Sequence, residues 1–553
     1  MCSRQRPGKD SRGDCVLFIV LIVVTWIPPI LGLGALLRYG GDPYLRRAVT
    51  GMLGLGVLAL GGMVLNFGLP LSPPVATVAW LTGTVVFWLR RRWLSEGVSR
   101  IEVLGSALAL AAIVALMQPP WRLYDAGLYY LQAVRWASEQ PIAIGVVNLY
   151  GPLAYNNCWF VLSALLEHSF ASDGASAYFV NILPMLFAAC GASAAAARLL
   201  RGDNSFSNIA MIAVILPVAH ATEGIGAQAP DQALTVIVPF TLVLLARALE
   251  PNDGDAVAAM LLGVFAVTIK VSAAPLLLGG AVALARRRNA LGRKRLLALT
   301  GLLSLCAGLW ALRSVLLSGC VVYPAASTCI NSLRWTPSPA QVQEEARWIY
   351  ADARQPGLTP DQVLGSWAWL PAWLEATLSR LDYLILGVMI TCALAAMWAT
   401  RRALTAPLAI TISVTLGGIL YWFALAPNPR FALGFLFSAA LLPFAFAASR
   451  VPAAPSRAFR VGTIAAALLM AAVLVFASGV LRIAVLRPWP IPVVARPQLP
   501  LTYTSEMATE SGLRVSVPVK GDQCWANPVP CTPRFDPKLA RDWAFVPADQ
   551  LEP

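Results

Sequence analysis

Charged side chains make up only 13% of the 553 residues, and histidine occurs twice, whereas an ordinary soluble domain carries about 25% charged residues. So little charge cannot solvate the surface of a water-soluble protein of this length. Internal repeats and low-complexity tracts are lacking too, which removes solenoid and linker-rich architectures. The two histidines, His168 and His220, have no ligand residues at motif spacing and so carry no metal signature. A formal charge of +14 would suit a nucleic-acid partner, but no basic run is interleaved with aromatics on a polar segment, and that partner is excluded.

Apolar sequence fills the space. Hydrophobic residues reach 58% and mean hydropathy is +0.66. Runs near the 20-residue length that spans a hydrocarbon core lie at 15–37, 48–68, 75–89, 101–118, 176–199, 206–221 and 231–249, then at 255–269, 272–286, 296–317, 381–399, 405–424, 431–448 and 460–482. Spans must satisfy their own backbone hydrogen bonds, so they are helices. The predicted fold is an all-α polytopic membrane protein of about fourteen transmembrane helices.

Basic residues orient it. Arg90, Arg91, Arg92 and Arg100 follow the third run, and Arg286, Arg287, Arg288, Arg293, Lys294 and Arg295 follow the ninth. Placing them in the cytoplasm puts Arg198, Arg201, Arg401, Arg402, Arg450, Arg457 and Arg460 on the same side. Arg4, Arg6, Lys9 and Arg12 ask for a cytoplasmic N-terminus, but counting back from Arg90 puts it outside unless the first run, broken by Pro28 and Pro29, is re-entrant. That run is too long for a signal peptide and has no small-residue cleavage site, so it is expected to be retained. The resulting division is N-terminal helices at 1–118, a first extracytoplasmic loop with amphipathic helices at 119–175, central helices at 176–317, a second loop at 318–380, C-terminal helices at 381–482, and an extracytoplasmic tail at 483–553. The two loops are long enough to carry function.

Four of the ten cysteines fall in two close pairs, Cys320 with Cys329 in the second loop and Cys524 with Cys531 in the tail. Disulfides suit an oxidising outer compartment. Free thiols are the alternative, and a four-cysteine zinc site lacks the usual ligand spacing.

Candidate chemistry gathers on the outer side. Asp125 follows a span, within Tyr124-Asp125-Ala126-Gly127-Leu128-Tyr129, ahead of an amphipathic stretch in which Leu128, Leu131, Val134 and Ala137 recur at helical spacing. A carboxylate partly desolvated among aromatics can serve as general base to a hydroxyl; it would equally suit a helix N-cap. Asp231 follows Pro230 at a helix start on the same side, where the two carboxylates could share one pocket or Asp231 could simply favour the helix dipole. Lys270 interrupts two short apolar runs, a costly position in lipid, and would face a lipid phosphate or snorkel to the interface. Arg313 and Arg430, the latter in Pro427-Asn428-Pro429-Arg430-Phe431, lie against the inward bias of positive charge. Their guanidinium forks fit a phosphate or an ion pair with Asp125, Asp231 or Glu167. Trp367, Trp369 and Trp373 suit a headgroup belt, with sugar stacking as the alternative.

Three stretches of this sequence resemble bacterial membrane glycosyltransferases of the GT-C type. They are Tyr124 to Tyr129 with Arg135-Trp136, Asn148-Leu149-Tyr150-Gly151 and Tyr155-Asn156; Arg313 with Ser318-Gly319 and Tyr323-Pro324; and the Pro-Asn-Pro-Arg-Phe turn. The tail, with Gly521-Asp522-Gln523-Cys524-Trp525 and Pro530-Cys531-Thr532-Pro533, is similar to a subfamily whose members are poorly characterised. The resemblance spans roughly residues 100–535. It implies a GT-C-like fold in a bacterial inner membrane, with extracytoplasmic loops forming a small cap over a site that faces the periplasm or cell exterior. It also implies a polyprenyl-phosphate sugar donor, a lipid or glycan acceptor, contact with membrane lipids, and inversion at the anomeric carbon. By that analogy Asp125 is the base, and Arg313, Arg430 or Lys270 stabilises the leaving phosphate. Tyr124, Tyr129, Arg135, Asn148, Tyr155, Asn156, Asp231 and Tyr323 would line the substrate site. The acidic residue follows about the fourth span instead of the first, and no Asp-Glu or Asp-x-Asp pair accompanies it, so no cofactor or divalent cation is assigned. A transporter or flippase of lipid-linked glycans would also need many spans, but inverted repeats and several mid-span charges are missing. A polymerase or ligase of such glycans would share these features.

Overall fold

The computed structural model describes residues 14–117, 122–167, 176–249, 253–450, 456–481 and 499–547. Each apolar run read from the sequence is helical over most of its length. Among the described residues, eight helices are long and apolar enough to cross a membrane: Arg46–Asn66, Ser176–Leu200, Phe206–Gly224, Pro230–Ala248, Val271–Ser318, Leu381–Ala403, Ala406–Leu425 and Arg457–Ala477. At 1.5 Å per residue, the 21 residues of Arg46–Asn66 match a hydrocarbon core of about 30 Å. The longest, Val271–Ser318, breaks at Gly292, whose φ of 73° leaves the helical region; the sequence gives two runs there. Shorter apolar helices are Ile19–Ala35, Cys158–Glu167, Gly254–Ile269 and Leu433–Ser449.

Burial sorts the helices. Pro230–Ala248 is buried over nearly its whole length, while Leu381–Ala403 and Arg457–Ala477 are mostly exposed. Val85, Leu104, Leu108, Leu420 and Leu469 leave the outside of the bundle apolar, a surface that water alone does not favour. The first helix, Asp14–Ala35, continues through Pro28 and Pro29 as one helix and packs along Pro73–Ser95. The basic residues before it fall outside the described residues.

One end of the bundle is ionic and compact. Asp42 pairs with Arg198 and with Arg247 at 3.2 Å, Arg247 reaches Asp255 at 2.9 Å, and Arg46 reaches Glu96 at 2.6 Å. The other end carries the loops and the tail. The 119–175 segment begins with a π-helical turn, Ala126–Tyr130, and helix Leu131–Glu139. It ends in helix Cys158–Glu167, buried throughout among the spans, so only part of that segment is loop. The second loop contributes helix Pro339–Arg354, started by a capping box of Ser338 and Gln341, and helix Leu370–Leu378.

The described part of the tail, residues 499–547, holds no helix. It forms two antiparallel hairpins, Thr504–Ala508 with Arg514–Pro518 and Leu539–Arg541 with Phe545–Pro547. Two disulfides, Cys320–Cys329 and Cys524–Cys531, close the small loops of this end. Trp136, Val146, Leu149 and Leu153 of the first loop share a core with Leu317, Val515, Leu539 and Phe545. Loop, helix end and tail therefore bury one another as a single layer.

Candidate functional site

Asp125 opens the π-helical turn but makes no side-chain cap bond. The wider i to i+5 turn, a form often found at functional sites, leaves the carboxylate available to Arg430, whose Nη2 donates to its Oδ2 at 2.7 Å; the Tyr130 hydroxyl donates to the same oxygen at 3.2 Å. Asp231 lies in the first turn of Pro230–Ala248, where Pro230 needs no N–H partner. Its Oδ1 accepts from Lys270 Nζ at 2.7 Å, and its Oδ2 lies 3.7 Å from Arg430 Nε. Lys270 occupies an extended residue between helix Asp253–Ile269 and the turn Val271–Ala273, and its ammonium lies 3.4 Å from the Phe431 ring centroid. A break between the two helices places this charge beside Asp231. Four residues far apart in the chain thus form one cluster of two carboxylates and two cations.

Tryptophans hold the turn that presents Arg430. Trp373 Nε1 donates to Pro427 O at 2.6 Å and Trp422 Nε1 to Asn428 O at 2.7 Å, while Asn428 Oδ1 accepts from the Arg430 N–H. Trp369 and Phe423 pack against the same aromatic group. Burial would push the Arg430 guanidinium down, but Asp125, Tyr130 and Asp231 together hold it above its ordinary range. Burial raises Tyr129 and Tyr130, so both remain neutral donors beside the carboxylate. Asp352, on the second-loop helix Pro339–Arg354, feels both Arg430 and Asp125, with burial raising its carboxyl. Asp231, Arg430, Ser272, Phe431, Leu234 and Phe435 line a small cleft beside the cluster, with a volume of about 10 Å³.

An aromatic wall bounds the cluster. Tyr129 meets Tyr155 edge-on at 5.8 Å and Phe160 at 6.0 Å, and Tyr155 lies 6.0 Å from Tyr323. The Tyr155 hydroxyl donates to Glu345 of the second loop at 2.5 Å. Tyr124, more than half exposed, bonds Asp522 of the tail. Burial, followed by that bond, pushes its phenol up to about 12.

The tail sits directly on the first loop. Gln523 Nε2 donates to Tyr124 O at 2.8 Å, Trp525 N–H to Gly127 O at 2.9 Å, and Gln132 Nε2 to Asn527 O at 2.8 Å. A Cβ at Gly127 would come within 2.6 Å of the Trp525 ring, so only glycine admits this approach.

Several sequence candidates lie apart from the cluster. Arg135 pairs with Glu139 and donates to Ala526 O. Asn148 Nδ2 is used on the carbonyls of Trp335 and Phe545, and Asn156 Nδ2 on Trp310 O. Arg313 is buried beyond the aromatic wall, bonded to Asn66 Oδ1 at 2.9 Å, with no carboxylate in salt-bridge reach among the described residues. Arg135 and Asn148 thus fasten the first loop to the tail and the second loop, Asn156 fastens it to helix Val271–Ser318, and Arg313 joins that helix to Arg46–Asn66.

A second polar group arises on the same face. His220 Nε2 lies 3.0 Å from Asp382 Oδ2, and Arg380 binds Glu223 at 2.9 Å and Asp382 at 2.7 Å. His220, Glu223 and Asp382 offer ligand atoms within 4.8 Å of one another, and Arg380 already bonds both carboxylates. Spacing along the chain gives no sign of it, because 162 residues separate the His220–Asp382 partners. His168 lies outside the described residues.

A family model described as a domain of unknown function (DUF8201) matches residues 16–437, most of the chain, which belongs to that family. No curated protein and no solved structure matches.

Proposed function

We propose that this member of the DUF8201 family is a polytopic membrane glycosyltransferase. It would cross a bacterial inner membrane about fourteen times, with the loop and tail layer on the periplasmic or exterior face. It transfers a sugar from a polyprenyl-phosphate donor to an extracytoplasmic lipid or glycan hydroxyl, with inversion.

The observation that carries this proposal is the partly open cluster of Asp125, Asp231, Lys270 and Arg430, set between a cleft among apolar helices and a polar loop layer. The lipid chain of a donor requires the first side, and a hydrophilic acceptor requires the second. In the reaction the Asp125 carboxylate takes the acceptor hydroxyl proton as that oxygen attacks the anomeric carbon. The bond from anomeric carbon to phosphate oxygen breaks, and the polyprenyl phosphate leaves with the electron pair. Arg430 and Lys270 offset the charge that develops on it. Arg430 shifts from Asp125 towards the donor phosphate and so frees the base; the Trp373 and Trp422 bonds keep its turn in place meanwhile.

The test is transfer of radiolabelled sugar from polyprenyl-phosphate donors by the purified protein in detergent. Asp125→Asn should lower the rate by about 10²–10⁴-fold, the usual contribution of a general base, with donor binding retained. Absence of transfer by the wild type over a broad donor and acceptor panel, with movement of lipid-linked glycan across liposomes instead, would point to a transporter.

A further inference from the structure

Behind the aromatic wall is a small cavity of about 30 Å³ whose lining includes Arg313, Asn66, Trp136, Tyr155, Asn157 and Phe160. Its electrostatics are one-sided. Arg313 is 7% exposed and its Nη1 donates to Asn66 Oδ1, but its buried Nε has no acceptor. Trp136 is 5% exposed, and its indole N–H is likewise buried without an acceptor. Asn66 cannot supply more, because its Nδ2 is engaged by the carbonyls of Leu69, Ala137 and Gln140. The Tyr155 hydroxyl is directed to Glu345. Val146, Leu153, Val161 and Leu317 make up much of the remaining wall.

A guanidinium withdrawn from water without a counter-charge costs several kcal/mol, and unmet buried donors add to that. The other strongly buried arginines among the described residues each find a carboxylate: Arg46 has Glu96, Arg47 has Glu102, and Arg247 has Asp255. Water in the cavity would satisfy donors but leave the charge. A phosphate would bring more charge than one guanidinium offsets, and a cavity of about 30 Å³ is too small to bring water or further cations in with it.

We propose that the Arg313–Trp136 cavity binds a single monovalent inorganic anion of halide size, held by the guanidinium and the indole N–H. Space supports this, since a cavity of this volume exceeds the minimum for one water, about 10–15 Å³, without reaching the size of a substrate group.

The site lies at a joint. Ile142 N–H donates to Asn66 O at 2.8 Å, Leu71 N–H to Ala137 O at 2.9 Å, and Gly145 N–H to Leu316 O at 2.9 Å. These bonds fasten the first loop to helix Arg46–Asn66 and to the end of Val271–Ser318. The anion neutralises the charge at the fastening point and so stabilises the placement of the loop. The glycosyl-transfer reaction plays no part in this inference, and its test does not measure that reaction.

The experiment is thermal unfolding of the purified full chain in detergent, exchanged into gluconate and titrated with chloride or bromide at constant ionic strength. Both halides should raise the unfolding temperature saturably, as mass action requires of a ligand that binds the folded state. Trp136→Phe keeps a ring and loses the donor; it should weaken halide binding about tenfold, in line with one hydrogen bond to a charged group. Asp125→Asn should leave halide binding unchanged. Crystals soaked in bromide should show its anomalous peak beside Arg313. A halide response no larger than that to gluconate, wild-type affinity in Trp136→Phe, or water in the cavity with bromide elsewhere would each overturn the proposal. Arg313→Gln should abolish the response; if that variant does not fold, the Trp136 variant and the bromide position still decide.

Discussion

At the compact ionic end of the bundle Asp255 is fully buried, Arg247 is only 13% exposed, and Asp42 accepts from two arginines at once. Tyr39 caps the remaining Asp255 oxygen. At the loop end, the same kinds of side chain are arranged more loosely. Arg430 is 39% exposed and Lys270 30%, and Arg430 Nε reaches no hydrogen-bond acceptor although Asp231 is 3.7 Å away. The first arrangement holds the chain between helices in place and leaves both oxygens of Asp255 engaged. In the second, two cations remain accessible to something outside the protein. A buried pair resists the loss of one partner, and an open pair can exchange it.

Paired substitutions can break this contrast. Removing charge at the loop end with Asp125→Asn should cost transfer about 10²–10⁴-fold and stability no more than about 1 kcal/mol, as expected of a partly exposed ion pair. Asp255→Asn should do the reverse: it takes the nearer carboxylate from a buried guanidinium that then keeps only Asp42 at 3.2 Å, a loss of up to about 3 kcal/mol, visible as a lower unfolding temperature in detergent. Equal loss of stability in both variants would mean that the two ends do the same structural work. A smaller effect belongs to the tail. Cys531→Ser opens the Cys524–Cys531 loop and should release about 2 kcal/mol of local stability, read as faster proteolytic nicking of the tail with the unfolding temperature of the bundle unchanged.

The smallest effect is a pH response at the contact between tail and loop. Tyr124 titrates near 12 in the folded protein, above its ordinary value of about 10. Folded protein therefore holds this proton more tightly than unfolded chain does, and the contribution is fully present below pH 10 and is lost as pH rises towards 12. Trp525 fluorescence should follow this loss, and Tyr124→Phe should remove it.

Much of the helical framework is legible because lipid-length apolar runs carry their own signal; even the broken rod around Gly292 reads as two runs. Asp125, Asp231, Lys270 and Arg430 are legible as candidates because charge is so rare that each one demands a partner. Their pairing is not, since 305 residues separate Asp125 from Arg430 and no local pattern encodes that distance. Asp352 and Glu345 lie on an amphipathic, largely exposed helix and look like ordinary solvated charges until the loops fold over the cluster. The tryptophans of the second loop read as interface anchors, whereas Trp373 and Trp422 are bonded to the turn that carries Arg430. The hairpins of the tail escape notice because strands of three to five residues have too little alternation to register.

The seating of the tail on the first loop also imposes an order in time. Tyr124 and Gln523 are 399 residues apart, so at about 5–20 residues per second the ribosome needs roughly 20 to 80 seconds between making one and making the other. Throughout that interval the nascent loop, with Gly127 bare, waits without its cover. A chain released before Gln523 would own every residue of the ion cluster and still lack the segment that sits on the loop carrying Asp125.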